Sequence, residues 1–344
     1  RQGCHLGSEH RTPSQLGVWP VILLLPVLPP LIMPVEPPAL ECDMADFQLI
    51  DCHAHCFPSA KEGKEFMVDY LNWGGRKLGT VEELLLEKRA SGHAHTNILM
   101  YTPTSFHFEH LTQAGLAPDA AREQVIARQA RNNTWACDLV CREEGLSVFC
   151  GVDCTRMSEP EMLGEVERCI ALGASGVKIV FTGLRIFGDD ARLHPLYDYC
   201  QSRSIPILAQ SSGRAGSTTP PYARAAPFGR MAEQFPRLKL VLAHLAHFPD
   251  FPNGGLDELA GAMMGHPNLY ADLSLRLDAV SGGECSHEEM ASVIRRLGPE
   301  HILFGTNFPL GEPLAATRAF WCLPLPEPAL RMIGRDNYLR LVEG

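Results

Sequence analysis

His53 and His55 stand one residue apart in the stretch QLIDCHAHCF, directly after an apolar run that ends in Asp51. On an extended chain, side chains two apart share a face. Two imidazoles on one face at a strand end can grip a single cation, but a cation such as zinc takes about four ligands. The other groups must come from distant parts of the chain. At or just past the ends of other apolar runs stand Asp153, Gln210, His244 with His247 beyond it, Asp272 with Ser274, and Asn307; Lys178 lies inside such a run. Each also has a plainer reading. A strand-end histidine is more often a hydrogen-bonded structural group than a ligand. Asp153 can cap a helix, Asp272 can anchor a loop, and Lys178 can pair with a neighbouring carboxylate. The functional reading gains weight only if a fold turns these ends toward one place.

The elements that would do so are short and apolar. Eight runs read as strands, at 47–51, 96–101, 146–153, 175–181, 205–210, 238–244, 268–274 and 301–306. Helical patterns lie between them. One opens at Thr80 with Glu83 three residues on, the spacing of a capping box. A long amphipathic helix runs over 118–144, and another starts at Ser158 with Pro160 in its first turn. Strands that are apolar nearly throughout, each followed by a helix, indicate a parallel sheet covered on both faces. Eight such units over about 300 residues fit an α/β fold of the (β/α)8 TIM-barrel kind, in which reactive groups gather at the C-terminal strand ends. GxGxxG and the P-loop are both absent, so an open dinucleotide-binding sheet loses its main support.

Composition narrows the partners. The formal net charge is −10 and no basic block occurs, which argues against nucleic acid or an anionic membrane surface. A small-molecule substrate is the expected partner, and a homo-oligomer is left open. The 12 cysteines are scattered without a CxxC pair; CxxxC spacings join Cys52/Cys56, Cys137/Cys141 and Cys150/Cys154. A zinc cluster lacks its paired-pair spacing, and reduced thiols in a cytoplasmic core are the expected state.

The first residues read differently. VWPVILLLPVLPPLIMPVEPP is apolar, but prolines interrupt it far short of the ~20 residues a spanning helix needs. A signal peptide is the sharper alternative, though prolines spoil its apolar core. Met44 opens MADFQLIDCHAH and runs straight into the first strand. Residues 1–43 are therefore expected to be a disordered or wrongly assigned extension, and 44–344 the barrel.

LIDCHAH, LKLVLAH, NLYADLS, HILFGTNFP and the tail IGRDNYLRL, in this order, resemble the amidohydrolase superfamily. The similarity is to the amidohydrolase-related branch that includes aminocarboxymuconate-semialdehyde decarboxylase, and it covers roughly residues 47–341. The resemblance implies a divalent metal, usually zinc, held by His53 and His55, by a strand-5 histidine and by a strand-8 aspartate that also serves as general base. Here those last two positions carry Gln210 and Asn307. The strand-6 acid/base histidine is retained as His244. Amides are weak zinc donors, and Asn307 cannot take a proton near neutral pH. The metal is thus expected to be weakly held or lost. Three outcomes are open: a hydrolase of a small polar, anionic substrate; a non-oxidative decarboxylase of the same fold; and an inactive binding barrel. Asp153 or Asp272 could have taken over as base. Arg76, Lys178 and Arg214 are the candidates for binding the substrate, with Lys61, Lys64 and Arg224 in the same loops.

Overall fold

In strand β4 (Gly176–Val180), Val177 and Ile179 pack outward into the large layer beneath the helices. Lys178 between them must therefore point the other way. The other strands are β1 (Leu49–Ala54), β2 (His93–Leu99), β3 (Leu146–Gly151), β5 (Ile207–Gln210), β6 (Leu240–Leu242), β7 (Leu269–Asp272) and β8 (Ile302–Leu303); β1 departs from strict alternation, with irregular register between Leu49 and Ile50 and between Asp51 and Ala54. All neighbours pair in parallel, in the order β1-β2-β3-β4-β5-β6-β7-β8. The computed structural model describes residues 47–75, 77–211, 222, 224–247 and 255–343. The expected boundary after residue 43 lies outside them.

The sheet closes through the chain that follows β8. Cys52 N donates to Phe304 O (3.0 Å), Asn307 N to His53 O (2.7 Å) and His55 N to Phe308 O (2.6 Å). The fold is thus the (β/α)8 barrel expected from the sequence. Ile50, Cys52, Leu99, Phe149, Leu208, Val241 and Leu303 fill its lumen. Burying each large apolar side chain contributes about 1.5–3 kcal/mol. The tail motif acquires a role here. Its last helix, Asn337–Glu343, adds Tyr338 and Leu341 to the lumen cluster, and Tyr338 is hydrogen-bonded to Ser147 Oγ at 2.7 Å. Ser147 lies near the start of β3, so this helix plugs the end opposite the strand C-termini.

The helices start where the sequence marks them. Thr80 and Glu83 form a reciprocal capping box, as do Ser158 and Glu161. The long helix spans Pro118–Arg142, with proline at its first turn. No helix among the described residues is long and apolar enough to cross a membrane. The described cysteines are unbridged, and Cys52, Cys56, Cys137, Cys150, Cys154, Cys169 and Cys200 are buried.

Candidate functional site

Each strand-1 histidine is fixed by its Nδ1. His55 Nδ1 lies 2.8 Å from Leu99 O, which can only accept, so this nitrogen carries the proton. His53 Nδ1 lies 2.8 Å from Asp272 Oδ2, at the end of β7. Both neutral rings therefore keep their lone pair on Nε2. Beneath them Asp51 ties β1 to the chain after β8. It accepts from His53 N (3.0 Å), Thr306 N (3.0 Å) and Thr306 Oγ1 (2.6 Å). Burial raises the Asp51 carboxyl to about 7, against the lowering effect of those hydrogen bonds.

Asp272 is the hub of the strand-6 and strand-7 side. Its Oδ1 accepts from His244 N (2.9 Å), Ser274 N (3.1 Å) and Ser274 Oγ. Because the serine proton is committed to Asp272, His244 Nδ1, 2.7 Å from Ser274 Oγ, must donate. His244 is thus held in the same tautomer as His53 and His55. The His53 and His244 rings lie 4.9 Å apart, and those of His53 and His55 5.4 Å apart. His244 reaches this place through a strained turn. His244, Leu245 and Ala246 all adopt left-handed backbone, with φ of 58°, 53° and 47°, a conformation costing roughly 1–2 kcal/mol per non-glycine residue. This turn ends β6 at Leu242, two residues before the strand expected from the sequence stops.

The opposite side of the mouth is unsatisfied. His53 Nε2, Asn307 Oδ1 and Lys178 Nζ are buried without a hydrogen-bond partner. Lys178 is 1% exposed, so its amine is cut off from water as well. Burial pushes the amine down to about 7, although Asp272 and Cys52 act to raise it. Burial, then the Lys178 charge, lowers His55 to about 3 and His53 well below its ordinary value. The plain reading of Lys178 as one half of an ion pair is therefore not what the structure shows.

The structure brings His53, His55, Lys178, His244, Asp272 and Asn307 to the same end of the barrel. Gln210 ends β5 there too, and its Oε1 accepts from Thr182 Oγ1 at 2.8 Å. Asp153 is spent on Thr104 Oγ1, Thr155 N and Thr155 Oγ1 (2.5, 2.7 and 2.6 Å), which is the capping role open to it. Arg224 is paired with Glu258 at 2.6 Å. Arg76, Arg214 and the side chain of His247 lie outside the described residues. Asp51 and Thr306 have a structural role that no motif in the sequence assigns to them, as does Ser274. Only the polar residues Asp51 and Thr306, set in otherwise apolar strand-end stretches, could have pointed to that buttress.

Does this set fit a divalent ion? His53, His244 and Asp272 offer ligand atoms within 4.8 Å of one another. That proximity is the hydrogen-bonded network itself, since both Asp272 oxygens are already engaged. Among the described residues what remains is neutral: imidazole Nε2 atoms and the Asn307 amide oxygen, beside a buried lysine. A set with no available carboxylate and an amine close by does not fit a tightly held divalent cation.

A (β/α)8 barrel whose polar groups converge at the C-terminal strand ends has the architecture of a barrel enzyme. The sequence pattern described as "Amidohydrolase" matches residues 50–343, and the chain belongs to that family. No curated protein sequence matches it. Among solved structures, 5-carboxyvanillate decarboxylase from Sphingomonas paucimobilis is 18% identical, with a TM-score of 0.62 over 86% of this chain and 99% of its own. A 2,6-dihydroxybenzoate decarboxylase from Rhizobium is 15% identical, with a TM-score of 0.62 over 86% and 98%. A dihydroxybenzoic acid decarboxylase from Polaromonas sp. JS666, solved with manganese and 2-nitroresorcinol, is 15% identical, with a TM-score of 0.63 over 86% and 97%. At these identities the likeness is one of fold.

Proposed function

We propose that this chain is a non-oxidative decarboxylase of a small hydroxylated carboxylic acid, in preference to a hydrolase. One observation carries the choice. Among the described residues, Asp272 at the site and Asp153 just past β3 are engaged by internal hydrogen bonds, and the strand-8 position is Asn307. In the pattern the family resemblance implies, the strand-8 carboxylate activates the attacking water, and the Asn307 amide cannot take that proton. Decarboxylation needs no activated water. The carboxylate bond breaks, its electron pair stays on the substrate carbon, CO2 leaves, and a proton takes its place. His244, oriented by Ser274 and by Asp272 through its backbone, is assigned the delivery of that proton: its Nε2 first takes a proton, from the substrate hydroxyl or from water, and then passes it to the carbon.

The substrate class follows from the groups left over. The Nε2 lone pair of His53 and the Oδ1 of Asn307 call for donors, such as hydroxyls. The Lys178 amine calls for an anion. The names of the three solved decarboxylases agree with such a substrate. The metal that the family resemblance implies is assigned no step, and zinc is not proposed. Soluble location in the cytoplasm remains the reading of a thiol-rich chain.

The test is release of labelled CO2 from a panel of carboxyl-labelled hydroxybenzoic and unsaturated hydroxy acids, run beside a panel of lactones, esters and amides. CO2 release from at least one acid, lost in His244→Asn, is the expected result. Turnover of a lactone, ester or amide with no CO2 from any acid would overturn the reading in favour of a hydrolase.

A further inference from the structure

Lys178 has no counter-ion. It sits on β4, in register with Gly151 of β3 and Leu208 of β5, and points into the lumen opposite to Val177 and Ile179. Its Nζ has no hydrogen-bond partner, and neither do His53 Nε2 and Asn307 Oδ1. The described carboxylate at this depth, Asp272, has both oxygens bound by His53, His244 and Ser274. Leaving a charge buried and unpaired costs several kcal/mol. A chain that keeps such a group at its barrel mouth leaves it to be paired by something that binds.

We propose that Lys178 is the resident cation of this site: its ammonium receives the carboxylate of the ligand and takes the electrostatic place that a divalent ion would fill. Three observations converge on it. The neutral donor set gives a metal no anion. The lysine adds a like charge beside any ion lodged against His53 and His55. The two other orphaned atoms are both acceptors, so among these three the ammonium is the group able to attract an anion. The proposal rests on reading the mouth as a site for carboxylic acids, and it adds which residue holds the acid and why a metal is dispensable.

The experiment uses the full chain and titrates it separately with manganese chloride, benzoate and 2-hydroxybenzoate by calorimetry, in the wild type, Lys178→Met and Lys178→Arg. Methionine is close to lysine in length and has no charge, while arginine keeps it. Wild type is expected to bind at least one of the two acids and to show no saturable manganese binding up to millimolar concentration. Lys178→Met should weaken acid binding tenfold or more and gain manganese affinity. Lys178→Arg should still exclude manganese, which separates charge from packing. Equal binding of the acids by wild type and Lys178→Met would overturn the proposal, as would one tightly held manganese per wild-type chain, or failure of wild type to bind either acid. If neither variant folds, an acid-dependent rise in the wild-type melting temperature with no rise in manganese chloride supports it, and the reverse pattern overturns it. Acid binding that depends on Lys178, in a protein that releases no CO2, would remove the decarboxylase reading and leave this one standing. Undiminished CO2 release by Lys178→Met would do the opposite.

Discussion

The two sides of the barrel mouth are built on opposite rules. On the strand-6 and strand-7 side, Asp272, Ser274 and the Nδ1 atoms of His244 and His53 bond to one another. On the strand-4 and strand-8 side, Lys178 Nζ, Asn307 Oδ1 and His53 Nε2 are buried without a well-formed hydrogen bond, although the Asn307 side chain lies against His55. His53 belongs to both, one nitrogen to each. A buried polar group without a partner costs stability, so proteins rarely keep three together. The saturated side holds the fold and sets the tautomers. The unpaired side is what a ligand would complete.

The comparison breaks most visibly at Asp272. Asp272→Ala strips the acceptors from His53 Nδ1, His244 N, Ser274 N and Ser274 Oγ in one step. We expect a loss of about 5 kcal/mol in urea unfolding, near the upper end for single substitutions. A loss under about 1 kcal/mol would mean that the network is not what holds this side.

Proton linkage sharpens it. Lys178 is about 7 in the folded state and about 10.4 unfolded. Its contribution is therefore fully present above the unfolded value and lost as pH falls through 7. The stability of wild type minus that of Lys178→Met should rise by up to about 4 kcal/mol between pH 6 and 10. Asp51 has the opposite sign. Its folded value, about 7, lies above its unfolded one, so wild type minus Asp51→Asn should fall as pH rises from 4 to 7. Parallel slopes for the two pairs, from unfolding curves at each pH, would contradict the assignment.

A smaller effect is expected from the shared histidine system. His244→Asn should leave circular dichroism unchanged and lower the rate of CO2 release about a hundredfold, the order typical for a lost acid/base group. Full activity would remove His244 from the chemistry. The smallest effect concerns the strained turn that presents it. Ala246→Gly relieves a left-handed alanine (φ 47°) and should stabilise the chain by about 1 kcal/mol, read from the melting temperature.

Much of this architecture is legible in the residues themselves. The eight strands follow from apolar runs bounded by helix caps, because burial on both faces leaves a nearly continuous signal. Thr80, Glu83 and Ser158 mark helix starts through local capping chemistry that needs no tertiary context. Strand ends are less secure: β6 stops early because His244 to Ala246 turn left-handed, and nothing in LAHLAH announces that. The site is half legible. Strand order alone places His53, His55, His244 and Asn307. What stays hidden is pairing. Asp272 reads equally well as base, ligand or anchor until its oxygens are seen to be taken, and Lys178 reads as an ordinary ion-pair partner until its surroundings are known. Those facts lie between strands far apart in the chain, and no local pattern encodes them.

The most direct measurement is a crystal structure of the chain with 2-hydroxybenzoate bound. The account predicts the carboxylate within hydrogen-bond distance of Lys178 Nζ, the hydroxyl toward His53 Nε2 or Asn307 Oδ1, and every Asp272 contact unchanged. A ligand bound away from Lys178, or Asp272 released from His53 and Ser274 to meet a metal ion, would contradict it.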